Sequence, residues 1–248
     1  MYPSEVLFDR LDDNKNTFIR SVPSVEIMES INNHYFEGRS MFSEIAENIP
    51  ANFILRINEL STAACPSGTV LSIIDPISFP LKKLKSMFQG AHVFDHPIVR
   101  FAESISFILL ERYGPIHSTD IGKLQNKEVS FEHSSLEMIN IVEFIRYLIV
   151  RENKNTEMTY SFPGYYKEHI EVVLRDVERD FKEFRDNSEE FDERFIPVAP
   201  RFSIPCSNSS AMIYVYETKK KNYGRICPTL VIRVVSGGVT EDIGNNTV

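Results

Sequence analysis

The sequence predicts an α+β protein: a mainly helical body, a long acidic heptad-patterned helix, and a C-terminal antiparallel β-hairpin that joins a small sheet. Helix-cap and helical-spacing patterns run through the first 160 residues, and two β-branched runs flank a basic turn near the C-terminus. The expected organisation is a helical domain at 1–160, the acidic helix at 161–196, the hairpin region at 197–238 and a flexible tail at 239–248, forming one compact unit.

Composition places the chain among soluble globular proteins. Of its 248 residues, 42% are hydrophobic and 25% are charged, which is close to the averages for that class. The formal net charge of −8 argues against broad binding to nucleic acid or to anionic membranes, because both attract basic surfaces. No cofactor motif is present, and the most apolar runs are too short and too charged to span a bilayer.

The cysteines and the N-terminus predict a compartment. Cys65, Cys206 and Cys227 form no C-x-x-C pair, so we expect reduced thiols, although one bridge between Cys206 and Cys227 across the hairpin stays open. The first residues lack the basic and apolar regions of a signal peptide. These features favour a protein of the cytoplasm or of a virus particle, with no membrane partner.

Within the helical body, capping residues and apolar spacing predict a series of helices and one internal strand. The strand is GTVLSIID at 68–75. The helices are predicted at residues 4–11, VEIMESINNHYF after Ser24, MFSEIAENI, ANFILRINEL, LKKLKSMFQ, the segment from Pro97 through SISFILL, and 134–150 with its capping box Ser134–Glu137. The segment containing SISFILL is apolar nearly all round, which predicts a central buried helix.

A heptad pattern marks the acidic helix. Its apolar residues fall at spacings of 4, 3, 4, 3 and 7, interrupted only by Ser188, and they are Ile170, Leu174, Val177, Phe181, Phe184 and Phe191. Six basic and eleven acidic residues lie between Lys167 and Arg194. Such a narrow stripe packs against one partner helix, either within the fold or on another chain. The first five of these apolar residues are the candidate interface.

The stretch YVYETKKKNYGR at 214–225 suggests two kinds of chemistry. On a strand, Glu217 and Lys219 share a face, as in the E-x-K half-site of a metal-dependent nuclease. That mechanism also needs an aspartate on a neighbouring strand, and the sequence supplies none at a suitable distance. The basic residues Lys219, Lys220, Lys221 and Arg225 are candidate nucleic-acid contacts, or they guard an exposed strand edge against aggregation.

A second candidate site is AHVFDHP, where His92 and His96 stand four residues apart beside Asp95. On a helix this spacing would suit zinc, but Gly90 and Pro97 favour a loop, and no third ligand is evident. We therefore interpret these histidines as loop and cap residues and predict no metal site.

Together these features favour a non-enzymatic structural or assembly subunit, of a virus, phage or cellular scaffold, that forms homo- or hetero-oligomers with other protein chains. The two hairpin strands need a third strand for stability, which either 68–75 or a partner chain supplies. The alternative is a metal-dependent enzyme acting on nucleic acid, or a nucleic-acid-binding accessory protein that uses the basic hairpin. Nucleic acid is the less favoured partner.

Overall fold

The computed structural model describes residues 18–21, 24–27, 53–62, 74–133, 135–151, 157–164, 166–186, 194–197, 199–222 and 225–236. Twelve strands lie in these ranges: β1 Phe18–Ser21, β2 Ser24–Ile27, β3 Phe53–Arg56, β4 Glu59–Thr62, β5 Lys83–Met87, β6 Ser104–Leu109, β7 Glu128–His133, β8 Met158–Pro163, β9 Arg185–Asp186, β10 Arg201–Pro205, β11 Met212–Asn222 and β12 Arg225–Val235. The α-helices of the same ranges are α1 Pro97–Phe101, α2 Ser118–Ile121, α3 Ser135–Met138, α4 Ile141–Val150 and α5 Lys167–Phe181.

Ten of the strands form one mixed sheet in the order β2-β4-β5-β6-β7-β8-β12-β11-β10-β9, while β1 pairs separately with β3. The first six strands are parallel and lie in chain order. From β8 onward, each neighbouring pair is antiparallel. The hairpin β11–β12 therefore extends a parallel sheet.

The parallel half is built like a solenoid. Its strands align at equivalent positions, so that one turn of chain takes between 21 and 35 residues; the aligned residues are Ser24, Glu59, Lys83, Ser104, Glu128 and Thr159. Short helices and 3-10 turns connect the strands. Stacking one supersecondary unit on the next buries a continuous core, which a single unit cannot do alone.

The core lies on one face of this sheet. All five α-helices contribute buried apolar side chains to a single cluster with alternate residues of the strands. Within it, Phe107, Phe131 and Phe162 hold equivalent positions on three adjacent strands, and their rings stack at centroid distances of 6.0 and 5.4 Å. Because parallel strands place equivalent side chains side by side, the same residue type repeated at one position forms a ladder.

The prediction of a mainly helical body is wrong, because a ten-stranded sheet dominates the described part of the chain. SISFILL contains strand β6, LKKLKSMFQ contains β5, ANFILRINEL contains β3 and the first two residues of β4, and Ser24 begins β2 rather than a helix. In β6, Ile105, Phe107 and Leu109 are fully buried and alternate with Ser104, Ser106 and Ile108, a two-residue period. Helical spacing also fits these residues, and neighbouring strands decide in favour of the sheet.

The helix predicted at 134–150 exists in part. It is divided into α3 and α4, because Ile139 makes a parallel bridge with Ile116 and the side chain of Asn140 caps α4 by accepting from the amide of Glu143 at 3.1 Å. The predicted hairpin is confirmed. Its two strands are paired from Met212 with Val235 at the base to Asn222 with Arg225 at the tip. The hairpin belongs to a large sheet, however, and not to the small sheet that was predicted.

The prediction of a long, coiled-coil-like acidic helix is also wrong, both in the length of the helix and in how it packs. Helix α5 ends at Phe181, a 3-10 turn covers Lys182–Phe184, and Arg185–Asp186 become strand β9 against β10. Ile170, Leu174, Val177 and Phe181 are buried in the chain's own core, and Phe184 packs against it half-buried. Helix α5 therefore lies on the sheet of its own chain and is not coiled-coil-like.

Several predictions fall on residues outside the described ranges: the helices before residue 18 and at 28–52, strand 68–73, Cys65, Phe191 and the tail 239–248. Cys206 and Cys227 are not joined by a disulfide. No helix of the described ranges is both long enough and apolar enough to cross a membrane.

Candidate functional site: the polar face of the sheet

The second face of the sheet differs from the core face. Met87, Val231 and Tyr216 are buried but do not belong to the apolar cluster that holds the described helices. They alternate with core residues along their strands, so they lie on the opposite side. We call this side the polar face, because most of its other side chains are serine, threonine or charged.

A row of small hydroxyl side chains crosses this face. Strand register aligns Ser61, Lys85, Ser106, Ser130 and Ser161 on five adjacent parallel strands, β4 to β8. The row continues through Val231 on β12 to Tyr216 on β11. Four of the five parallel strands thus place serine at the same position; Ser61 and Ser130 are half-buried, whereas Ser106 and Ser161 are each only 6% exposed.

Glu132, two residues beyond Ser130 on β7, forms a polar cluster with Lys85 and Ser106 of the row. The ammonium of Lys85 donates to Glu132 Oε2 at 2.9 Å, and the hydroxyl of Ser106 donates to Glu132 Oε1 at 2.5 Å. The side chain of Glu132 is only 10% exposed, so its carboxylate is largely desolvated. A buried carboxylate is tolerated where a cation and a hydrogen-bond donor compensate it, as they do at this position.

His133 follows this cluster at the end of β7. Its backbone φ is +68°, in the left-handed region that residues other than glycine rarely adopt. Burial lowers the pKa of the imidazole, and the charge of Lys85 acts in the same direction while Glu132 opposes it. The ring therefore favours its neutral form beside a charged pair.

Larger side chains border the row on the antiparallel side. Lys220 donates to the hydroxyl of Ser161 at 2.9 Å, so the ammonium lies over the polar face. The guanidinium of Arg201 lies 6.0 Å from the ring centre of Tyr216. Arg233 pairs with Glu157 at 3.5 Å in an exposed ion pair. The serine row is thus a low strip beside taller aromatic and basic groups.

Glu217, the first candidate catalytic residue, lies on the core face and is 1% exposed. Its two carboxylate oxygens accept hydrogen bonds from the backbone amides of Phe195 and Ile196, each at 3.0 Å. Burial raises the pKa of Glu217, while these two amides and the charge of Arg201 oppose the rise. The carboxylate holds a loop against the sheet, and this use explains its position without a metal.

The remaining predicted site residues are dispersed. Lys219 is exposed two residues beyond Glu217, at the base of the hairpin tip. His92 lies exposed in a 3-10 turn and His96 precedes α1, so they do not share a helix face. Among the described residues, no group of three or more His, Cys, Asp or Glu side chains is arranged to hold a metal ion.

The polar face was missed at the sequence level although the chain carries a signal for it. The tripeptides ISF at 105–107, VSF at 129–131 and YSF at 160–162 occupy equivalent positions of β6, β7 and β8. The same tripeptide at 77–79 spans a 3-10 turn, so the motif alone is not specific. Only the strand register distinguishes the three that form the row.

A comparison with protein families matches residues 23–164 to DUF3557, a domain of unknown function. The matched segment begins beside β2 and ends directly after β8, so it coincides with the parallel half of the sheet and includes the serine row. Helix α5 and strands β9 to β12 lie beyond it. No curated protein and no solved structure matches the chain significantly.

Proposed function

The chain belongs to the DUF3557 family, and we propose that it is a non-enzymatic binding subunit that holds another protein on the polar face of its sheet. One observation carries the proposal. The described helices all pack on one side of the sheet, and the other side of its parallel strands carries the serine row, in which Ser61 and Ser130 are half-buried. Parallel sheets are usually covered on both faces, whereas solenoids keep one face open as a binding surface.

The dimensions of the row suit a polypeptide partner. Neighbouring strands are about 4.8 Å apart, so five strands span roughly 19 Å, enough for about six residues of extended chain. Serine hydroxyls both donate and accept hydrogen bonds, so they can pair with peptide groups and with side chains of either polarity. Their small size lets a partner approach the floor of the strip closely.

The charges of the face also favour a protein. Lys85 is matched with Glu132, exposed Lys83 is paired in register with exposed Glu59 on the adjacent strand β4, and exposed Glu128 lies two strands away on β7. A face that binds nucleic acid through phosphates needs a clear excess of positive charge. Mixed charge instead sets the register and orientation of a protein partner.

The test uses Ser130, which is half-buried in the middle of the row and makes none of the contacts around Glu132. A photo-crosslinking amino acid placed there should trap a partner chain in the source cell, while the same residue at exposed Glu168 on α5 should not. The partner is then purified and titrated against variants. Ser130→Arg should weaken its binding at least tenfold, and Glu168→Arg should leave it unchanged.

The proposal fails if the Ser130 position crosslinks no better than the Glu168 position. It also fails if the Ser130→Arg variant, shown to be folded by its thermal unfolding curve, binds the purified partner as tightly as the unmodified chain. A finding that the partner is a second copy of this chain would assign the oligomer to this face.

A further inference from the structure

We propose that the tip of the β11–β12 hairpin binds an acidic segment of another protein that also carries apolar side chains. The proposed site is the hairpin tip rather than the serine row, although Lys220 of the tip also donates to Ser161 of that row. The proposal names the chemistry of the partner. It rests on the shape of the hairpin, on the distribution of its charges and on one exposed apolar residue.

The hairpin extends beyond its neighbouring strands in the sheet, and we call this extension the arm. Strand β8 pairs with β12 only as far as Thr229, and β10 pairs with β11 only as far as Val215. The two hairpin strands continue to pair with each other to Asn222 and Arg225. At about 3.3 Å per residue, the part beyond Pro228 is roughly 10–13 Å long.

The arm concentrates positive charge. Lys219, Lys220, Lys221 and Arg225 are all exposed, and the sequence from 218 to 228 contains no acidic residue. The whole chain carries a formal charge of −8, so the rest of it carries −12. The arm is thus a small cationic projection on an acidic body.

The cations lie on both faces of the arm. Lys219 and Lys221 alternate with Lys220 along β11, and Arg225 opposite Asn222 lies on the side of Lys220. An extended segment lying along the arm places successive side chains on alternate sides, so acidic residues on either side of it meet a cation.

Ile226 distinguishes a protein from a nucleic acid as the partner. Its side chain is 66% exposed, it pairs with Lys221, and it shares a face with Lys219 and Lys221. An aliphatic group between lysines suits a partner that offers apolar as well as acidic side chains. A phosphate backbone offers no such group, and its dense charge is repelled by the acidic body.

The experiment measures fluorescence anisotropy of a labelled ten-residue peptide of alternating Glu and Val with the full chain. The comparison ligands are the peptide with Lys in place of Glu and a ten-base-pair DNA duplex at the same ionic strength. The acidic peptide should bind, more weakly as salt increases, and the basic peptide should not. Reversing two exposed charges, Lys219→Glu with Lys221→Glu, should weaken binding about tenfold.

Two further variants test separately whether the location of the lysines and the apolar side chain of Ile226 determine the binding. The double change Lys82→Glu with Lys127→Glu reverses two exposed lysines that belong neither to the arm nor to the serine row and should leave the affinity nearly unchanged. Ile226→Ser should weaken the acidic peptide but not the duplex. Tighter binding of the duplex than of the acidic peptide, no binding of the acidic peptide, or equal affinity of the Lys219/Lys221 variant would each overturn the proposal.

Discussion

At the scale of single residues, two buried carboxyl groups of the described ranges, Asp75 and Glu217, have their pKa values displaced in opposite directions. Asp75 accepts hydrogen bonds from the amide of Ile77 and from the guanidinium of Arg56, and these contacts lower its pKa despite burial. Glu217 also accepts two amide hydrogen bonds, but its burial in the core raises its pKa. The balance between desolvation and donated hydrogen bonds decides the direction in each case.

The raised pKa of Glu217 predicts how stability depends on pH. Because the folded state holds this proton more tightly than the unfolded state, the contribution of Glu217 is fully present below the unfolded value of 4.5 and is lost as pH rises through the folded value. Urea unfolding between pH 4 and pH 7 should show this loss. Glu217→Gln should remove that dependence and cost about 1–3 kcal/mol, because one amide of Phe195 or Ile196 loses its acceptor.

A matched control is Asp75→Asn. The contribution of Asp75 is present above its unfolded value of 3.8 and is lost as pH falls through the lower folded value. The Asn variant should therefore be destabilised at neutral pH and should differ less from the unmodified chain in acid. Equal pH dependence of the two variants would contradict the assignment of opposite displacements.

Position 122 requires glycine because of the neighbouring Tyr147 side chain, not because of its backbone conformation. Its φ of −61° suits any residue, but an added Cβ would lie 2.2 Å from the hydroxyl oxygen of Tyr147 and 2.5 Å from ring atoms. Gly122→Ala should destabilise the fold by about 1–3 kcal/mol through overpacking. Adding Tyr147→Leu should recover part of that loss, as a double-mutant cycle in thermal unfolding would show.

Gly114 is the control position for the double-mutant cycle of Gly122 and Tyr147. Its φ is +72°, and nothing lies within 4 Å of an added Cβ. Gly114→Ala should cost about 1 kcal/mol because a side chain disfavours left-handed backbone. Tyr147→Leu should not relieve this cost, and a recovery equal to that at Gly122 would contradict the steric explanation.

At the scale of elements, helix α5 shows that an apolar stripe specifies burial but not the surface that covers it. Leu174 and Val177 are at most 1% exposed and pack in the core of the same chain. Leu174→Ala should lower the free energy of unfolding by about 2–5 kcal/mol. Its native mass by light scattering should equal that of the unmodified chain. A change of mass without loss of stability would place this stripe between chains.

At the scale of the whole molecule, the sheet has a protected centre and exposed margins. Strands β8 and β12 each have a neighbour on both sides and bury Tyr160, Phe162, Leu230 and Ile232. Strand β9 has two residues and lies at one edge. Local opening costs least where few contacts break.

Native-state hydrogen exchange should report this gradient. Amides of β8 and β12 should exchange near the rate set by global unfolding, and those of β9 at least about a hundredfold faster. Comparable protection of β9 and β8 would show instead that the sheet opens only as one unit.

The sequence by itself determined the features that depend on neighbouring residues: the two strands of the β11–β12 hairpin and the buried stripe of α5. Tertiary structure decided whether apolar runs such as SISFILL became strands. Parallel pairing joins residues 21 to 35 positions apart, so no local signal distinguishes it from a buried helix. The polar face exists only through that pairing, because its serines become neighbours only when the strands align in register.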